Sequence, residues 1–252
     1  MLDVKELSVT YGDGTEGLVR ASFSLESGEK CALIGENGAG KTTLLMALVG
    51  VLPGVGSVTA AGIALSPGTL GAVRQKVGVL MQNPDDQLFL PTVLQDVAFG
   101  PKNLGYSQQE AEEQARYMLE RLEISHLAGR SALRLSGGEK RMAALAAVLV
   151  MEPEVLLLDE PTAFLDPRAR RRLMEVLKGL PQTMLIATHD LGFALEVCPE
   201  TLLIRGGEIL RKGKSRELLF DDGQMERAGV ESLPVYSGLG SRNSQEGLHG
   251  TA

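Results

Sequence analysis

The start of the chain alternates apolar and polar residues in short segments. Residues 2–11 have apolar side chains at about every second position, as in a strand with one buried face, and Gly12-Asp13-Gly14 ends the pattern. Residues 19–26 predict a second strand, and after a turn at 27–29 residues 30–34 predict a third. These segments indicate a small antiparallel layer beside the core of the protein.

The middle of the chain changes from strand-like to helical patterns. Short strand-like pieces occur around 57–63 and 76–81, and residues 83–86 then break the pattern. From Ser107 onwards, apolar residues recur at helical spacing with charged residues between them. We expect a helical insertion over about residues 88–150, ending in an apolar helix that Ser136 caps.

Two later apolar segments each end in side chains that can take part in chemistry. Residues 155–158 precede Asp159 and Glu160, and residues 184–188 precede His189. Such segments are typical of buried parallel strands, whose carboxyl ends face a ligand. The pattern therefore predicts two carboxylates and an imidazole directed towards one site.

The last part of the chain predicts a hairpin followed by a tail. Residues 202–211 contain Gly206-Gly207 and favour two paired strands. After Asp221 the content of Gly, Ser and Asn rises and no periodicity is visible. We therefore expect one folded domain over residues 1–220 and a loosely ordered tail over residues 221–252.

Length and composition exclude a membrane-spanning chain. The 252 residues, 44% of them hydrophobic, suffice for one large domain with a smaller lobe. The longest apolar run without a charge, residues 142–151, is much shorter than the roughly 20 residues that cross a bilayer. Because the N-terminus has neither a basic start nor an apolar stretch, we expect residence in the cytosol.

Charge and cysteine content limit the partners further. A net charge of −7 argues against a nucleic-acid partner, since broad binding to phosphate needs a surplus of Lys and Arg. The two cysteines lack metal-ligand spacing and are expected to be buried thiols without a disulfide. A local basic cluster is expected to form a solvated helix face; its members are Arg168, Arg170, Arg171 and Arg172.

A glycine-rich motif lies between the third predicted strand and a helical segment. Residues 35–42 read GENGAGKT and fit G-x-x-x-x-G-K-[ST] at every specified position. Glycines allow backbone N–H groups to surround an anion, and the following helix directs its free N–H groups at the same anion. Lys41 would reach the β- and γ-phosphates of a nucleotide, and the Thr42 hydroxyl would hold Mg²⁺. The motif therefore predicts nucleotide binding.

In this order, these motifs resemble the ATP-binding subunit of ABC transporters over residues 2–219. The most specific one, Leu135-Ser136-Gly137-Gly138-Glu139, resembles the LSGGQ signature with Glu139 in place of Gln. The resemblance implies an α/β P-loop NTPase (RecA-like) core with an antiparallel β subdomain and a helical signature subdomain. It also implies a head-to-tail dimer around two ATP molecules. In that dimer the partner's ATP site would be completed by Ser136, Gly137, Gly138 and Glu139.

The resemblance also implies a role for individual residues. The ATP contacts would be Tyr11, which matches the adenine-stacking aromatic, Gly35, Glu36, Asn37, Gly38, Ala39, Gly40, Lys41, Thr42, Thr43 and Gln82. The magnesium ligands would be Thr42, the Q-loop glutamine Gln82 and the Walker B aspartate Asp159. The catalytic residues would be the base Glu160, the switch histidine His189 and Lys41.

Two further positions concern the D-loop of this resemblance. Asp166 resembles its aspartate, although an Asp before Pro167 could equally cap the next helix. Phe164 departs from the pattern, because a small residue is usual there. Glu139 is the second departure, and neither change removes a phosphate or metal ligand.

Residues 81–105 are similar to those of energy-coupling-factor and CbiO-type ATPases, which drive uptake of cobalt, nickel or vitamins. In that class the segment corresponding to Gln82–Gly100 grips the membrane subunit, and the ATPase never touches the solute. We expect an ATP-hydrolysing importer subunit at the cytoplasmic face of the membrane, energising cobalt or nickel uptake as a homodimer. A vitamin importer with two paired ATPases is the alternative. Soluble ABC proteins acting on DNA or ribosomes would need a very long insertion or a second phosphate loop, and the sequence has neither.

Overall fold

The computed structural model describes residues 1–234, which form two β-sheets with α-helices packed around them. The strands are β1 (Leu2–Thr10), β2 (Glu16–Leu25), β3 (Lys30–Ile34), β4 (Val55–Ala60), β5 (Ile63–Ala64), β6 (Val77–Leu80), β7 (Val155–Asp159), β8 (Thr183–Ala187), β9 (Glu200–Arg205) and β10 (Glu208–Lys214). The helices are α1 (Lys41–Leu48), α2 (Leu70–Lys76), α3 (Val93–Asn103), α4 (Gln108–Arg121), α5 (Gly137–Leu149), α6 (Pro167–Gly179), α7 (Leu191–Val197), α8 (Ser215–Leu218) and α9 (Asp222–Arg227). The predicted α/β class is confirmed.

The smaller sheet is antiparallel and has the strand order β2-β1-β4-β5. The alternation predicted for β1 is shifted by one residue at Glu6, which has φ 52° and an exposed side chain. This irregularity brings Leu7 and Val9 back to the buried face that Leu2 and Val4 occupy. The predicted antiparallel layer is therefore present, and one bulge keeps its apolar face continuous.

Two details of that layer differ from the expectation. The third predicted strand, β3, belongs to the other sheet, where four of its five residues are buried. The single strand expected at 57–63 is two strands, because the chain reverses at Gly62 with φ 77°. The turn joins β4 to β5 and completes the antiparallel sheet.

The larger sheet positions the functional side chains. Its strand order is β10-β9-β3-β8-β7-β6. Every neighbouring pair is parallel except the pair formed by β9 and the edge strand β10, which is antiparallel. The carboxyl ends of β3, β6, β7 and β8 therefore meet along one edge of the sheet. The phosphate-loop motif follows β3, Gln82 follows β6, Glu160 follows β7 and His189 follows β8.

Helices α3, α4 and α5 pack against one another in the region where a helical insertion was expected. They do not have a core of their own, since Leu119 of α4 and Leu145 of α5 share one apolar cluster with Leu158 of β7. Helix α5 begins at a capping box in which Ser136 accepts a hydrogen bond from the Glu139 N–H. The boundaries of a helical subdomain at about 88–150 remain a prediction.

The folded chain continues beyond the predicted boundary at residue 220. The expectation of loose order is wrong for residues 221–234, where Asp221 caps α9 and accepts a hydrogen bond of 3.0 Å from the Gln224 N–H. Met225 and Ala228 are fully buried against the larger core. Burying the Met side chain stabilises the folded state by about 1.5–3 kcal/mol. A few apolar residues are therefore enough to order this segment. The predicted tail beyond residue 234 lies outside the described residues.

The structure of residues 1–234 bears on two expectations from composition, that no segment crosses a membrane and that the cysteines are buried thiols. None of the helices there is both long and apolar enough to cross a membrane. Cys31 and Cys198 are buried free thiols, as expected, and burial raises the pKa of Cys198 to about 12.

Candidate functional site

The phosphate-loop motif connects β3 to α1, and its glycines are required by close backbone contacts. A Cβ atom on Gly35 would lie 2.1 Å from the Ile204 carbonyl oxygen, so only glycine fits against β9. Gly40 has φ 103° and caps α1, and a Cβ there would lie 2.6 Å from the Gly17 carbonyl oxygen. The predicted order of strand, glycine-rich loop and helix is confirmed.

The ammonium group of Lys41 lies inside the curve of this loop. Its Nζ donates hydrogen bonds of 2.8 Å to the Gly35 carbonyl and 3.0 Å to the Glu36 carbonyl. Burial lowers the pKa of Lys41, while the nearby carboxylates of Glu160 and Asp159 act in the opposite direction. A cation is thus held where the loop would place phosphate oxygens.

Thr42 and Asp159 form a pair of oxygen ligands beside the loop. The Thr42 hydroxyl donates a hydrogen bond of 2.7 Å to Asp159 Oδ2. Burial raises the pKa of Asp159, and the hydrogen bond from Thr42 opposes that shift. Among residues 1–234 no cluster of three or more His, Cys, Asp or Glu side chains could hold a metal ion alone. This donor set nonetheless fits Mg²⁺, which takes one or two carboxylates and completes its shell with phosphate oxygens and water.

Glu160 and His189 form a second pair at the ends of β7 and β8. Glu160 has φ 43° and donates its N–H to the Ala187 carbonyl at 2.8 Å. Its Oε2 accepts a hydrogen bond of 3.3 Å from the His189 backbone N–H and lies 2.8 Å from His189 Nδ1. The Glu160 side chain is 9% exposed, whereas that of His189 is 69% exposed. The carboxylate is therefore held beside His189, and Glu160 lines the cavity described next.

A cavity of about 540 Å³ collects most of the predicted site residues. It is lined by Tyr11, Thr15, Glu16, Gly17, Asn37, Gly38, Gly40, Lys41, Thr42, Thr43, Gln82, Asp159, Glu160 and His189. The predicted ATP contacts Gly35, Glu36 and Ala39 are not in its lining. The Glu36 side chain points away, towards Arg205, whose Nε lies 3.3 Å from Glu36 Oε1.

Tyr11 forms part of the wall of this cavity. Its hydroxyl lies 2.6 Å from Thr43 Oγ1, and its ring is so close to Gly17 that a Cβ there would lie 2.7 Å from a ring carbon. The residue remains 39% exposed. An aromatic ring held in this way offers a flat surface at the mouth of the cavity.

Of the predicted signature residues, Ser136, Gly138 and Glu139 line a different cavity, of about 340 Å³, together with the predicted D-loop residue Asp166; Gly137 is not in its lining. Glu139 Oε2 accepts hydrogen bonds of 2.8 Å from both the N–H and the hydroxyl of Ser136. These hydrogen bonds lower the pKa of Glu139, and Arg130 lies 3.8 Å from its other oxygen. Glu139, which replaces the usual Gln, therefore caps the start of α5 together with Ser136.

The D-loop segment contains the two positions singled out in the sequence, Asp166 and Phe164. Asp166 Oδ1 caps α6 by accepting hydrogen bonds of 2.8 Å from the Arg168 N–H and 2.9 Å from the Ala169 N–H. Phe164 has φ 62° and is 94% exposed. Among the described residues it is the most exposed large hydrophobic side chain. A side chain so exposed contributes nothing to the core of its own chain.

The comparisons with known proteins decide the family. The sequence model described as ABC transporter matches residues 18–163, more than half of the 252 residues. The chain belongs to the ABC transporter family. ABC ATP-binding proteins are ATPases, and their ATP-binding domains work as dimers with membrane subunits. This ABC chain is therefore an ATP-binding subunit that hydrolyses ATP, and the predicted P-loop NTPase fold is confirmed.

Two relatives and one solved structure show how far the similarity extends. An ABC transporter ATP-binding protein from Gloeobacter violaceus is 50% identical over 240 residues, covering 94% of this ABC chain and 98% of that protein. The energy-coupling factor transporter ATP-binding protein EcfA from Methanothermobacter thermautotrophicus is 40% identical, covering 98% of this chain and 81% of the relative. The structure of CbiO1 from Clostridium perfringens, part of the ABC transporter complex CbiONQ, superposes with a TM-score of 0.78 at 34% identity. The superposition covers 90% of this chain and 94% of the CbiO1 chain.

Sequence reasoning about this ABC chain missed Arg141, whose side chain is almost fully buried on α5. Its guanidinium donates hydrogen bonds of 2.6 Å to the carbonyls of Met81 and Gln82. Helix α5, which begins with the signature, thereby holds the segment that presents Gln82 to the cavity. An arginine on an otherwise apolar helix face was the available signal, because a buried charge needs several partners.

Replacing Asp159 with asparagine in this ABC ATPase should separate stability from metal binding. The folded state disfavours the ionised Asp159 carboxylate, because burial raises its pKa above the ordinary value. Asparagine keeps the shape and an acceptor for Thr42, so the melting temperature should be equal or higher. Affinity for ATP should no longer increase when Mg²⁺ is added. Unchanged magnesium dependence in a titration with and without EDTA would show that Asp159 is not a ligand.

Proposed function

We propose that this chain is the ATPase engine of an importer that takes up cobalt or nickel ions through a membrane partner. The observation that carries the proposal is the cavity, which brings a phosphate loop, a pair of oxygen ligands and the Glu160–His189 pair together. Similarity to CbiO1 over 90% of the chain supports the transporter class. The sequence resemblance at residues 81–105 associates that class with cobalt, nickel and vitamins.

Each residue of the cavity has a part in the proposed hydrolysis. The loop from Gly35 to Thr43 would bind the phosphates, while Tyr11 would stack on adenine. Stacking on an aromatic ring contributes about 1–3 kcal/mol per base. Glu160 would orient and deprotonate the attacking water, a role worth about 10²–10⁴-fold in rate. Lys41 and His189 would stabilise the charge on the transferring phosphoryl group.

Thr42, Gln82 and Asp159 would hold Mg²⁺ with the nucleotide. Thr42 and Asp159 lie within hydrogen-bonding distance of each other, and Gln82 lines the same cavity. When bound, the metal neutralises charge between the β- and γ-phosphates. The chain itself contributes a neutral hydroxyl, a neutral amide and one carboxylate. Such a mixed oxygen set suits a cation that keeps several water ligands.

A second ATPase subunit would complete each ATP site. The signature residues, Ser136, Gly137, Gly138 and Glu139, do not line the phosphate cavity of their own chain. They begin helix α5, whose free N–H groups suit a phosphate. A head-to-tail pair would place them, with Asp166, over the nucleotide of the partner. We propose a homodimer.

The membrane subunit would bind the segment Gln82–Gly100. Phe89 and Phe99 are 61% and 41% exposed and pack edge to face with their ring centres 5.2 Å apart. Asp96 supports this pair, because its Oδ1 accepts hydrogen bonds from the N–H groups of Phe89 and Leu90. An exposed aromatic pair formed by one residue of a fixed loop and one of α3 is a suitable anchor for a partner helix. In this arrangement the chain lies at the cytoplasmic face of the membrane and contacts neither nucleic acid nor solute.

The second candidate is an energy-coupling-factor importer with two different ATPases and a vitamin cargo. The observation in its favour is the 40% identity to EcfA over nearly the whole chain. The two candidates share the ATPase chemistry and differ in the identity of the second subunit. A soluble ABC ATPase without a membrane partner is the remaining alternative.

Purification of the tagged chain from the membranes of its own host tests the proposal. Mass spectrometry should identify an integral membrane protein together with this ATPase alone. A second, different ATPase in the complex would favour the energy-coupling-factor alternative. Absence of any membrane protein would contradict transport altogether.

Replacing Phe89 with alanine should reduce recovery of the membrane protein by about tenfold or more, because truncating a central aromatic anchor costs about 2 kcal/mol or more. The isolated variant should hydrolyse ATP at the wild-type rate, since Phe89 does not line the ATP cavity. Val55→Ala is the matched control, because Val55 is 80% exposed on the antiparallel sheet. Equal recovery of the membrane protein with both variants would exclude the Phe89 surface.

A further inference from the structure

An ion pair outside the cavity joins α6 to the segment that carries His189. Arg170 Nε donates to Asp190 Oδ2 at 2.6 Å, and the Arg170 NH2 group donates to Asp190 Oδ1 at 2.9 Å. The two side chains are 30% and 25% exposed. This geometry is bidentate and half-buried, unlike that of a typical surface ion pair. The expectation of a solvated arginine face is therefore wrong for Arg170.

Asp190 is also bound by its own neighbours in the chain. Its Oδ1 accepts a hydrogen bond of 2.8 Å from the Phe193 N–H and so caps α7, and its N–H donates to Thr188 Oγ1 at 3.0 Å. Burial raises the pKa of Asp190, but the hydrogen bonds from Arg170 and Phe193 outweigh it and hold that pKa below its ordinary value. The carboxylate therefore remains charged and keeps its partners.

His189 lies between Thr188 and Asp190, and the position of its side chain depends on both. Its imidazole is 69% exposed, so packing restrains it little, and its Nδ1 lies 2.8 Å from Glu160 Oε2. Thr188 on one side is fully buried, and Asp190 on the other is fixed by Arg170. The position of the imidazole against Glu160 is therefore set through the backbone by its neighbours.

We propose that Arg170 is a positioning residue for ATP hydrolysis, which fixes His189 against Glu160 by holding Asp190. This inference rests on the proposed function, because it needs His189 and Glu160 to act on ATP. Arg170 does not line the cavity, and within residues 1–234 its side chain donates hydrogen bonds to Asp190.

The same arrangement links hydrolysis to the D-loop segment. The Arg170 N–H donates to the Asp166 carbonyl at 2.9 Å, one helical turn earlier. A partner subunit that displaces the start of α6 would thus move Arg170 and Asp190 together. Contact at the D-loop would be transmitted to His189 over two hydrogen-bonded steps.

The test compares Arg170→Gln, Asp190→Asn, the double variant and Arg171→Gln in steady-state ATPase assays of the full chain. Asparagine remains a good helix cap, so Asp190→Asn removes the ion pair and keeps α7. Arg171 is the matched control, because it is exposed on the same helix and makes no side-chain hydrogen bond or ion pair within residues 1–234.

Each single variant should lower kcat by about 10- to 100-fold, the loss that a displacement of about 1 Å causes at a catalytic group. The KM for ATP should change by less than about threefold, since the phosphate loop is untouched. The double variant should be no slower than either single one, because both disrupt one unit. Arg171→Gln should have the wild-type kcat.

A background of His189→Ala separates positioning from general damage to the fold. There, adding Arg170→Gln should leave kcat unchanged, because the group that it positions is gone. An equal loss of kcat with and without His189 would overturn the inference, as would additive losses in the double variant or a normal kcat in Arg170→Gln. If His189→Ala itself turns over normally, the role proposed for His189 fails, and that outcome is distinct from a failure confined to Arg170.

Discussion

Replacing Glu160 with glutamine should lower kcat for ATP hydrolysis by about 10²–10⁴-fold, the usual contribution of a general base. ATP should still bind with near wild-type affinity, because glutamine has the same shape and the phosphate loop is intact. The structure supports a large effect, since the Glu160 carboxylate is 9% exposed and already fixed by His189. Single-turnover hydrolysis and nucleotide binding should be measured on the same preparation.

Glu152→Gln is the matched control for this variant. Like Glu160, Glu152 has positive φ, at 50°, but it is exposed at the turn after α5 and does not line the cavity. Its replacement should leave kcat unchanged. If Glu160→Gln also hydrolyses ATP at the wild-type rate, another group is the base.

Replacing Lys41 with alanine should weaken ATP binding by about 10²-fold, because a hydrogen bond to a charged group contributes about 1.5–3 kcal/mol and Lys41 would make more than one. Its Nζ lies within the loop, 2.8 Å from the Gly35 carbonyl oxygen, where alanine provides no cation. Affinity measured with a fluorescent ATP analogue reports the loss directly.

Lys5→Ala controls for the change in net charge. Lys5 is an exposed residue of β1 that pairs with Asp3, remote from the phosphate loop. It should bind ATP as the wild type does. Equal affinities of the Lys41 and Lys5 variants would show that the loop does not bind phosphate through Lys41.

Much of the fold is predictable from local patterns, and the failures have physical causes. Strands β1, β3, β7 and β8 were predicted because alternation or continuous burial is visible in their own residues. Helices α2 and α7 have only seven residues each, too few to show a helical period. The C-terminal helix α9 was missed because two buried residues, Met225 and Ala228, hold it against the core.

Some residues of the candidate site can likewise be predicted from sequence, and others cannot. Lys41, Thr42, Asp159 and the other motif residues follow from sequence, because a motif places them at one edge of a parallel sheet. Their roles remain proposals. Arg141 and Arg170 could not be found in this way, since each acts on a residue distant in sequence, Gln82 and Asp190 respectively. Contacts of this kind depend on how helices pack, which periodicity does not encode.

The predicted site residues of this chain lie around two separate cavities. The phosphate loop and Glu160 line one cavity, while Ser136 and Asp166 line another. Phe164, two residues before Asp166 in the chain, is 94% exposed. An exposed aromatic next to a capped helix start fits a surface that a second copy covers. We therefore expect ATP, and not ADP, to bring two copies together.

Light scattering of the Glu160→Gln chain with Mg²⁺ and ATP measures whether ATP joins two copies, because slow hydrolysis preserves the ATP-bound state. We expect a molar mass about twice the 26.9 kDa of one chain with ATP, and the mass of one chain with ADP. Combining Glu160→Gln with Ser136→Arg, which places a bulky cation at the signature, should return the mass to that of one chain. A single-chain mass at saturating ATP, or a dimer that forms regardless of the nucleotide and of Ser136, would show that ATP does not join two copies through the signature.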